Sequence, residues 1–403
     1  MNKTRLSQPE FIGLIAMLFA MVAFSIDAML PALPEIAAEI SPDAPNRAQL
    51  ILTSFVFGMG LGTLVTGPLS DRFGRKPVIL CGAALYILGA AVAWQASTLN
   101  EMLAARAVQG LGVAGPRIVA LAIIRDIYEG RRMAQIMSYA MMIFTLVPAI
   151  APFMGAVIID AFGWRMIFAA FIVFCLIATT WLALRQPETL PPERRRPFAP
   201  RTLARATLEC FSHRIFTLST FAQALTFGML FGTLSSIQPL FDDTYGRGDS
   251  FPAWFALIAV IGGTASVINA RLVVAYGMRK MIQIGLGGLA GLSAIVALTG
   301  LITTIPFALF MIWATAIFFM VGLVIGNLNA LAMEPLGHIA GLAASVIGSA
   351  STVLGVALAI PLGLAFNGTP VPLAIGLTAL SFTGFLLLRV GLKEPSPAAI
   401  NPP

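Results

Sequence analysis

The stretch "GPLSDRFGRKP", Gly67–Pro77, sets four charged side chains, Asp71, Arg72, Arg75 and Lys76, into a chain in which only 11% of residues are charged. On its N-terminal side runs "FVFGMGLGTLV" (55–65) and on its C-terminal side "VILCGAALYILGAAVAW" (78–94). A membrane span needs about 20 apolar residues, so the charged stretch reads as a short turn between two spans. Gly74 permits a tight turn and Gly67 a close helix approach. Charges of both signs in so short a loop can form ion pairs between helices, made and broken as helix groups move.

The same pattern of apolar run and polar punctuation fills the chain. Of 403 residues 58% are apolar, and the mean hydropathy is +0.89. Soluble domains carry about 25% charged residues, so a soluble globular class is excluded. The runs predict twelve spans at 9–34, 46–69, 77–96, 100–124, 134–160, 165–184, 213–240, 251–275, 280–301, 305–332, 340–366 and 371–390. Runs this long and continuous are helices, because only helices or closed barrels satisfy the backbone in lipid. The expected fold is an all-α polytopic membrane protein. Lys3 and Arg5 before the first run imitate a signal peptide, but the run is too long and is read as an uncleaved first span.

Basic residues orient the spans. With the N-terminus inside, the cytoplasmic segments hold Lys3, Arg5, Arg72, Arg75, Lys76, Arg125, Arg131, Arg132, Arg185, Arg194, Arg195, Arg196, Arg201, Arg205, Arg214, Arg271, Arg279, Lys280, Arg389 and Lys393. The outer segments hold only Arg47, Arg165 and Arg247. Both termini are therefore expected in the cytoplasm, with a bacterial inner (plasma) membrane as the location. The same bias accounts for the net charge of +7 without a nucleic-acid partner. The linker "RQPETLPPERRRPFAPRTLAR" lies in 185–212 and separates 1–184 from 213–403, six spans each. Its arginines suit the inner leaflet. A weak repeat supports two pseudo-symmetric six-helix bundles. Phe73-Gly74 and Tyr276-Gly277, 203 positions apart, are each followed by basic residues, with Val274 where Asp71 stands in the first copy. Parallel six-helix repeats with a midplane site are a known transporter plan.

The pattern Gly67-x-Leu69-x-Asp71-Arg72-x-Gly74-Arg75-Lys76, between spans 2 and 3, resembles the signature of the major facilitator superfamily. The resemblance implies that Asp71 and Arg75 bridge neighbouring helices and hold an outward-open state, with Asp126 of "IIRDIY" as the partner of Arg75. "RAVQGLGVAGPR" (106–117) is similar to the span 4 motif of that family through Arg106, Gln109 and Gly110. An arginine inside a span normally faces a cavity or a partner. Arg106 and Arg117, eleven residues apart, share a helix face about 16 Å apart, so both can border one water-accessible path. "TLVPAIAPFMGAVI" (145–158) resembles the span 5 motif of the antiporter branch through Pro152 and Gly155, with Ala151 and Ala156 as small stand-ins and Val147 at an expected glycine. Pro148 and Pro152 each remove a helix donor and bend the span.

"DAMLPALP" (27–34) resembles the end of span 1 in the bicyclomycin-resistance (Bcr/CflA) group of drug:proton antiporters, with Ala28-Met29 in place of Met-Tyr. Some relatives carry a second acid two turns earlier, where this chain has Phe19. Asp27 lies about 24 Å along span 1 from the inside, and Arg106 about 9 Å into span 4 from the outside, so both fall in the outer half of a core about 30 Å thick. The resemblance puts spans 1 and 4 beside a central cavity, where Asp27 and Arg106 can meet or communicate as the proton-coupling pair. An acid held between an apolar surround and an arginine can change protonation during a cycle.

Phe24, Met29, Tyr139, Met142 and Phe231 suit an adaptable apolar pocket. Gln109, Arg117, Gln223, Ser235, Ser236, Gln238, Asn327 and Asn329 are polar candidates for its lining. Two span arginines against one acid favour neutral or anionic substrates over dications. Cys81, Cys175 and Cys210 lie in separate segments, and neither His213 nor His338 has partners at ligand spacing, so no metal or disulfide is expected. No phosphate-binding Gly-Lys-Ser/Thr loop and no catalytic elbow occurs, which argues against an enzyme or an ATP-driven pump. The expected activity is proton-coupled export of small amphipathic compounds by a monomer, with the proton gradient in place of a cofactor. The alternative is a proton-coupled or passive permease for a sugar, nucleoside or amino acid derivative. A membrane sensor or scaffold is a third class, and no soluble effector domain supports it.

Overall fold

The computed structural model describes residues 6–195, 197 and 200–391. Lys3, Arg5, Arg196 and Lys393, counted above for orientation, lie outside the described residues. The described residues form helices α1 (Gln8–Asp27), α2 (Leu33–Ile40), α3 (Leu50–Phe73), α4 (Arg75–Gln95), α5 (Leu99–Ile127), α6 (Gly130–Phe162) and α7 (Met166–Arg185). They continue as α8 (Pro200–Ser212), α9 (Arg214–Pro239), α10 (Phe251–Tyr276), α11 (Met278–Ile302), α12 (Phe307–Met333), α13 (Ala340–Leu364) and α14 (Val371–Gly391). Setting aside the short α2 and α8, twelve helices of 20 residues or more remain. At 1.5 Å per residue each reaches about 30 Å, enough to cross the hydrocarbon. Their outward faces are apolar: Leu184, Val274 and Ile302 are among the most exposed side chains. The fold is the expected twelve-helix, all-α membrane architecture.

The first span differs from the expected 9–34. The α-helix stops at Asp27, and the chain turns through a 3-10 segment, Leu30–Ala32, into α2. The cause is local. A proline ring clashes with the carbonyl four residues earlier and supplies no donor, and Pro31 stands four residues after Asp27. Pro31 and Pro34 each fall in the first turn of a new helical piece, where a missing N–H costs nothing. In contrast, α6 runs as one 33-residue helix with both Pro148 and Pro152 inside it.

Glycines set how closely the helices pack. A Cβ on Gly58 or Gly110 would strike the backbone across the α3–α5 contact, at Ala107 and Phe55 respectively. One on Gly112 or Gly89 would strike α4 or α5 in the same way. Small residues are what let helices approach in lipid, where no hydrophobic force drives them together. The helices α1 and α3–α7 pack among themselves, as do α9–α14, and the main contacts between the two sets are α3 with α13 and α6 with α10. The α3–α13 seam is antiparallel: Gly60 lies against Thr352 and Val353, Thr63 against Gly348, and Gly67 against Ser345.

Candidate functional site

At the end of the bundle that carries the linker, the charged turn is held by a network that reaches three helices. Gly74 takes φ +102°, a conformation that a side chain disfavours. It reverses the chain so that Arg75 begins α4. The Arg75 guanidinium donates through Nη1 to Asp71 Oδ1 (2.5 Å) and Ser70 Oγ (2.8 Å), and through Nε to Asp126 Oδ2 at the end of α5 (2.9 Å). The fork shape of arginine suits this double engagement. Arg72, grouped with these residues in the sequence motif, points away and lies over the Phe73 ring.

Two linker residues that the sequence did not single out complete the cluster. Glu188 accepts the backbone N–H groups of Arg75 (2.9 Å) and Lys76 (3.0 Å), one on each carboxylate oxygen. It thereby satisfies two of the free donors at the start of α4 and places a negative charge at the positive end of that helix. Thr189 donates to Asp126 Oδ2 at 2.7 Å. Nothing in local spacing marks Glu188 as a cap for a helix more than a hundred residues upstream.

Deeper in the first set, Asp27 is buried at the end of α1, and it is the only acid among the buried polar side chains described. From the sequence, Asp27 and Arg106 can meet or communicate at similar depth. The structure connects them through the backbone rather than side chain to side chain. Arg106 is fully buried and donates to Gln109 Oε1 (2.6 Å) and to the backbone carbonyl of Ser25 (3.0 Å), with its guanidinium over the Phe55 ring at 4.3 Å. No ion pair links it to Asp27 among the described residues. The Ser25 carbonyl belongs to the last turn of α1, whose acceptors lack partners within the helix. Arg106 therefore caps the broken end of α1, two residues before Asp27. The Ser25 hydroxyl donates to Met21 O (2.6 Å), so the Tyr86 hydroxyl, also at 2.6 Å, must donate to Ser25 Oγ. On the other side of the break, Gly155 of α6 packs directly on the Ala28 carbonyl, with no room for a Cβ.

A cavity of about 700 Å³ lies between the two sets of helices at the linker end. Its lining includes Thr63, Gly67, Asp71, Arg75, Arg117 and Asp126 from the first set, and Gln223, Phe227, Asn329, His338 and Ser345 from the second. At the opposite end the sets meet. Asn46 donates to the Phe366 carbonyl (2.7 Å), and Gln49 lies against Gly363 and accepts from Ser236 at 3.4 Å.

Arg106 and Arg117 thus separate. Arg117 borders the cavity, whereas Arg106 is sealed among α1, α3 and α7, because eleven residues of helix carry one side chain from the packed interior into the opening. Neither Asp27, Arg106 nor Gln109 lines the cavity. Of the apolar candidates, Phe24 packs on Phe171 and Phe174, and Met29 is buried in the turn after α1. Tyr139 and Met142 are exposed on α6 away from the cavity lining. Phe231 is buried and stacks on Phe227, which reaches the cavity in its place. Asn327 donates to Asn269 Oδ1 at 2.7 Å, joining α12 to α10. Gln238 borders a smaller pocket of about 230 Å³ at the opposite end. No cluster of three or more potential metal ligands occurs among the described residues.

Residues 14–360 match the Major Facilitator Superfamily. The chain is 32% identical over 352 residues to the bicyclomycin resistance protein homolog of Haemophilus influenzae, covering 86% of each chain. It is 29% identical to the multidrug resistance protein MdtL of Salmonella heidelberg, over 88% of this chain and 89% of that one. Among solved structures, a D-xylose-proton symporter superposes with a TM-score of 0.77 at 16% identity, covering 95% of this chain and 97% of that one, which shows the shared fold.

Proposed function

We propose that this chain, which belongs to the major facilitator superfamily, exports small amphipathic compounds across a bacterial inner membrane in exchange for protons. The observation that carries this reading is the cavity between two helix sets, open at the linker end and closed at the other. The basic residues assign the linker end to the cytoplasm. The state seen is then the one that loads substrate from inside, although the Asp71–Arg75–Asp126 bridge is formed. That bridge therefore does not by itself hold an outward-open state, as the resemblance implies. The names of the relatives favour drugs as cargo. Residues 1–184 and 213–403 act as two bundles that rock about the α3–α13 and α6–α10 seams, opening the other end in turn. The transporter works as a monomer.

Asp27 is the proton site in this scheme. A buried acid in an apolar surround is costly unless it is paired, and no ion pair offsets that cost for Asp27 among the described residues. The α1 break is flanked by Arg106 through the Ser25 carbonyl and by Gly155 through the Ala28 carbonyl. All of these lie in the first bundle and move together, so rocking changes the exposure of Asp27 through the cover that α9 of the second bundle gives to the adjoining Leu30–Ala32 turn. Arg106 is a positioning residue, acting on Asp27 through the backbone.

The test is expression in an efflux-deficient bacterial host, with bicyclomycin and a panel of other antibiotics, and proton release from inverted membrane vesicles on substrate addition. The wild-type chain is expected to raise tolerance, and Asp27→Asn to abolish both tolerance and proton release. Proton release that survives in Asp27→Asn removes Asp27 as the carrier. A wild-type chain that protects against no compound removes drug export.

A further inference from the structure

Two cavity residues are left with unused polar capacity. Arg117 is half-buried, and its described partner is Met59 Sδ at 3.5 Å. A thioether is a weak acceptor, and a guanidinium offers five donors. Arg75 shows what the chain does with a structural arginine: it surrounds it with Asp71, Asp126 and Ser70. No carboxylate lies within ion-pair distance of Arg117 among the described residues. The second residue is Gln223 of α9, 2% exposed, whose side-chain oxygen has no hydrogen-bond partner among the described residues. Buried polar atoms are nearly always satisfied, so an orphan on a cavity wall calls for a partner that the cavity brings.

One helical turn along from Gln223, at the i+4 position of the same face, Phe227 presents an aromatic ring to the cavity, with Phe231 stacked on it at 5.5 Å. The charge of the lining agrees with that of Arg117. Asp71 and Asp126 are already engaged by Arg75, and the lining carries three arginines, Arg75, Arg117 and Arg125, against those two acids. A cleft lined by an excess of one sign concentrates the opposite sign.

We infer that Arg117, Gln223 and Phe227 form a substrate subsite for amphipathic organic monoanions that carry a hydrogen-bond donor near the acid group and an aromatic body. The oxyanion pairs with Arg117, the N–H or O–H with the Gln223 amide, and the ring with Phe227. This rests on the transport reading and narrows its cargo.

Three probes separate the contributions: N-acetyl-L-phenylalanine, its methyl ester, and 3-phenylpropanoate, which keeps the acid and ring but lacks the N–H. Binding to the purified full chain in nanodiscs is measured by calorimetry, and flux in proteoliposomes separately. Wild type is expected to bind the N-acetyl acid about tenfold more tightly than the ester, the ratio that one modest charged hydrogen bond supports. Arg117→Gln is expected to erase that ratio by weakening the acid alone, with partial recovery in Arg117→Lys. Gln223→Leu is expected to erase the advantage of the N-acetyl acid over 3-phenylpropanoate while leaving the preference for acid over ester. Equal wild-type affinity for acid and ester overturns the subsite, as does an Arg117→Gln variant that loses both alike. The wild-type ratio decides the matter even if a variant does not fold. Acid-selective binding with no flux of any probe instead leaves the subsite standing and removes transport of this class.

Discussion

The turn between α3 and α4 and the turn between α10 and α11 share a backbone reversal and differ in the side chains at two key positions. Gly74 has φ +102° and ψ 160°, and Gly277 has φ +79° and ψ 155°. Each glycine N–H closes the preceding helix, on Ser70 O and Val273 O respectively. Each follows an exposed aromatic ring with a cation over it, Arg72 on Phe73 and Lys280 on Tyr276. Yet Asp71 of the first turn is replaced by the highly exposed Val274 in the second, and Arg75 by Met278. A Cβ on Gly74 would meet Glu188 and Arg195 of the linker, whereas one on Gly277 would meet nothing within 4 Å. The repeated element is therefore a backbone reversal, which any helix pair of this kind needs. The Asp71–Arg75–Asp126 cluster and the Glu188 clamp belong to the first turn, where they brace the first set of helices and tie the linker to it.

Substituting the arginine at the heart of the cluster is the strongest way to break this comparison. Arg75→Leu leaves Asp71 and Asp126 together with no cation between them. Breaking one side of a fully buried pair costs about 3 kcal/mol or more. Asp71 is 48% exposed and Asp126 19%, so a loss of about 2–3 kcal/mol is expected in the stability of the detergent-purified protein. Lys280→Leu, in the second turn, is expected to stay within about 0.5 kcal/mol of wild type. Equal losses from the two substitutions would show that the turns carry equal loads. Arg75→Lys is expected to fall between, because a point charge cannot serve Asp71 and Asp126 with one rigid fork.

The clamp from the linker gives a smaller effect. Glu188→Ala frees two N–H donors at the partly exposed start of α4, and loss of such a helix cap costs about 1 kcal/mol. Glu188→Gln, which keeps one acceptor, is expected to lose about half of that. Protease sensitivity of the 186–195 segment should rise in Glu188→Ala and remain near wild type in Gly277→Ala. Unchanged sensitivity in Glu188→Ala would mean that the linker is held by other contacts.

The backbone part of this comparison was legible in the sequence, and the clamp was not. Aromatic-Gly followed by basic residues recurs at a fixed offset, and helix length, spacing and charge bias follow from the bilayer. The end of α1 was also half-legible, since Pro31 stands four residues after Asp27, although the expected span ran to 34. Long-range direction was less legible. Counted depth along two helices let Asp27 and Arg106 meet or communicate, but depth does not say which atom a side chain reaches, and Arg106 reaches the Ser25 carbonyl. Phe231 and Phe227 lie on one helix face at i and i+4, and composition cannot say which of the two borders the cavity. Glu188 caps a helix across 113 positions of chain, a contact that exists only once the linker folds back.

A similarly small effect gives the cleanest separation of backbone from contact. Gly277→Ala places a methyl group in open space, so its cost is that of the positive-φ extended backbone alone, at least about 1 kcal/mol. Gly74→Ala carries that cost and a second one, because the new methyl would lie 2.8 Å from Glu188 Oε2 and 3.1 Å from Arg195 Nη2. The two contributions come apart in a double-mutant cycle. In a Glu188→Ala background the carboxylate is gone, and Gly74→Ala should then cost little more than Gly277→Ala does in wild type. Contacting residues couple by about 0.5–3 kcal/mol, and distant ones add within about 0.5. The pair Gly74 and Glu188 is therefore expected to be less than additive, and the pair Gly277 and Glu188 additive. Additivity in both pairs would mean that the linker does not press on the first turn, and the asymmetry between the turns would reduce to the charges of Asp71, Arg75 and Asp126.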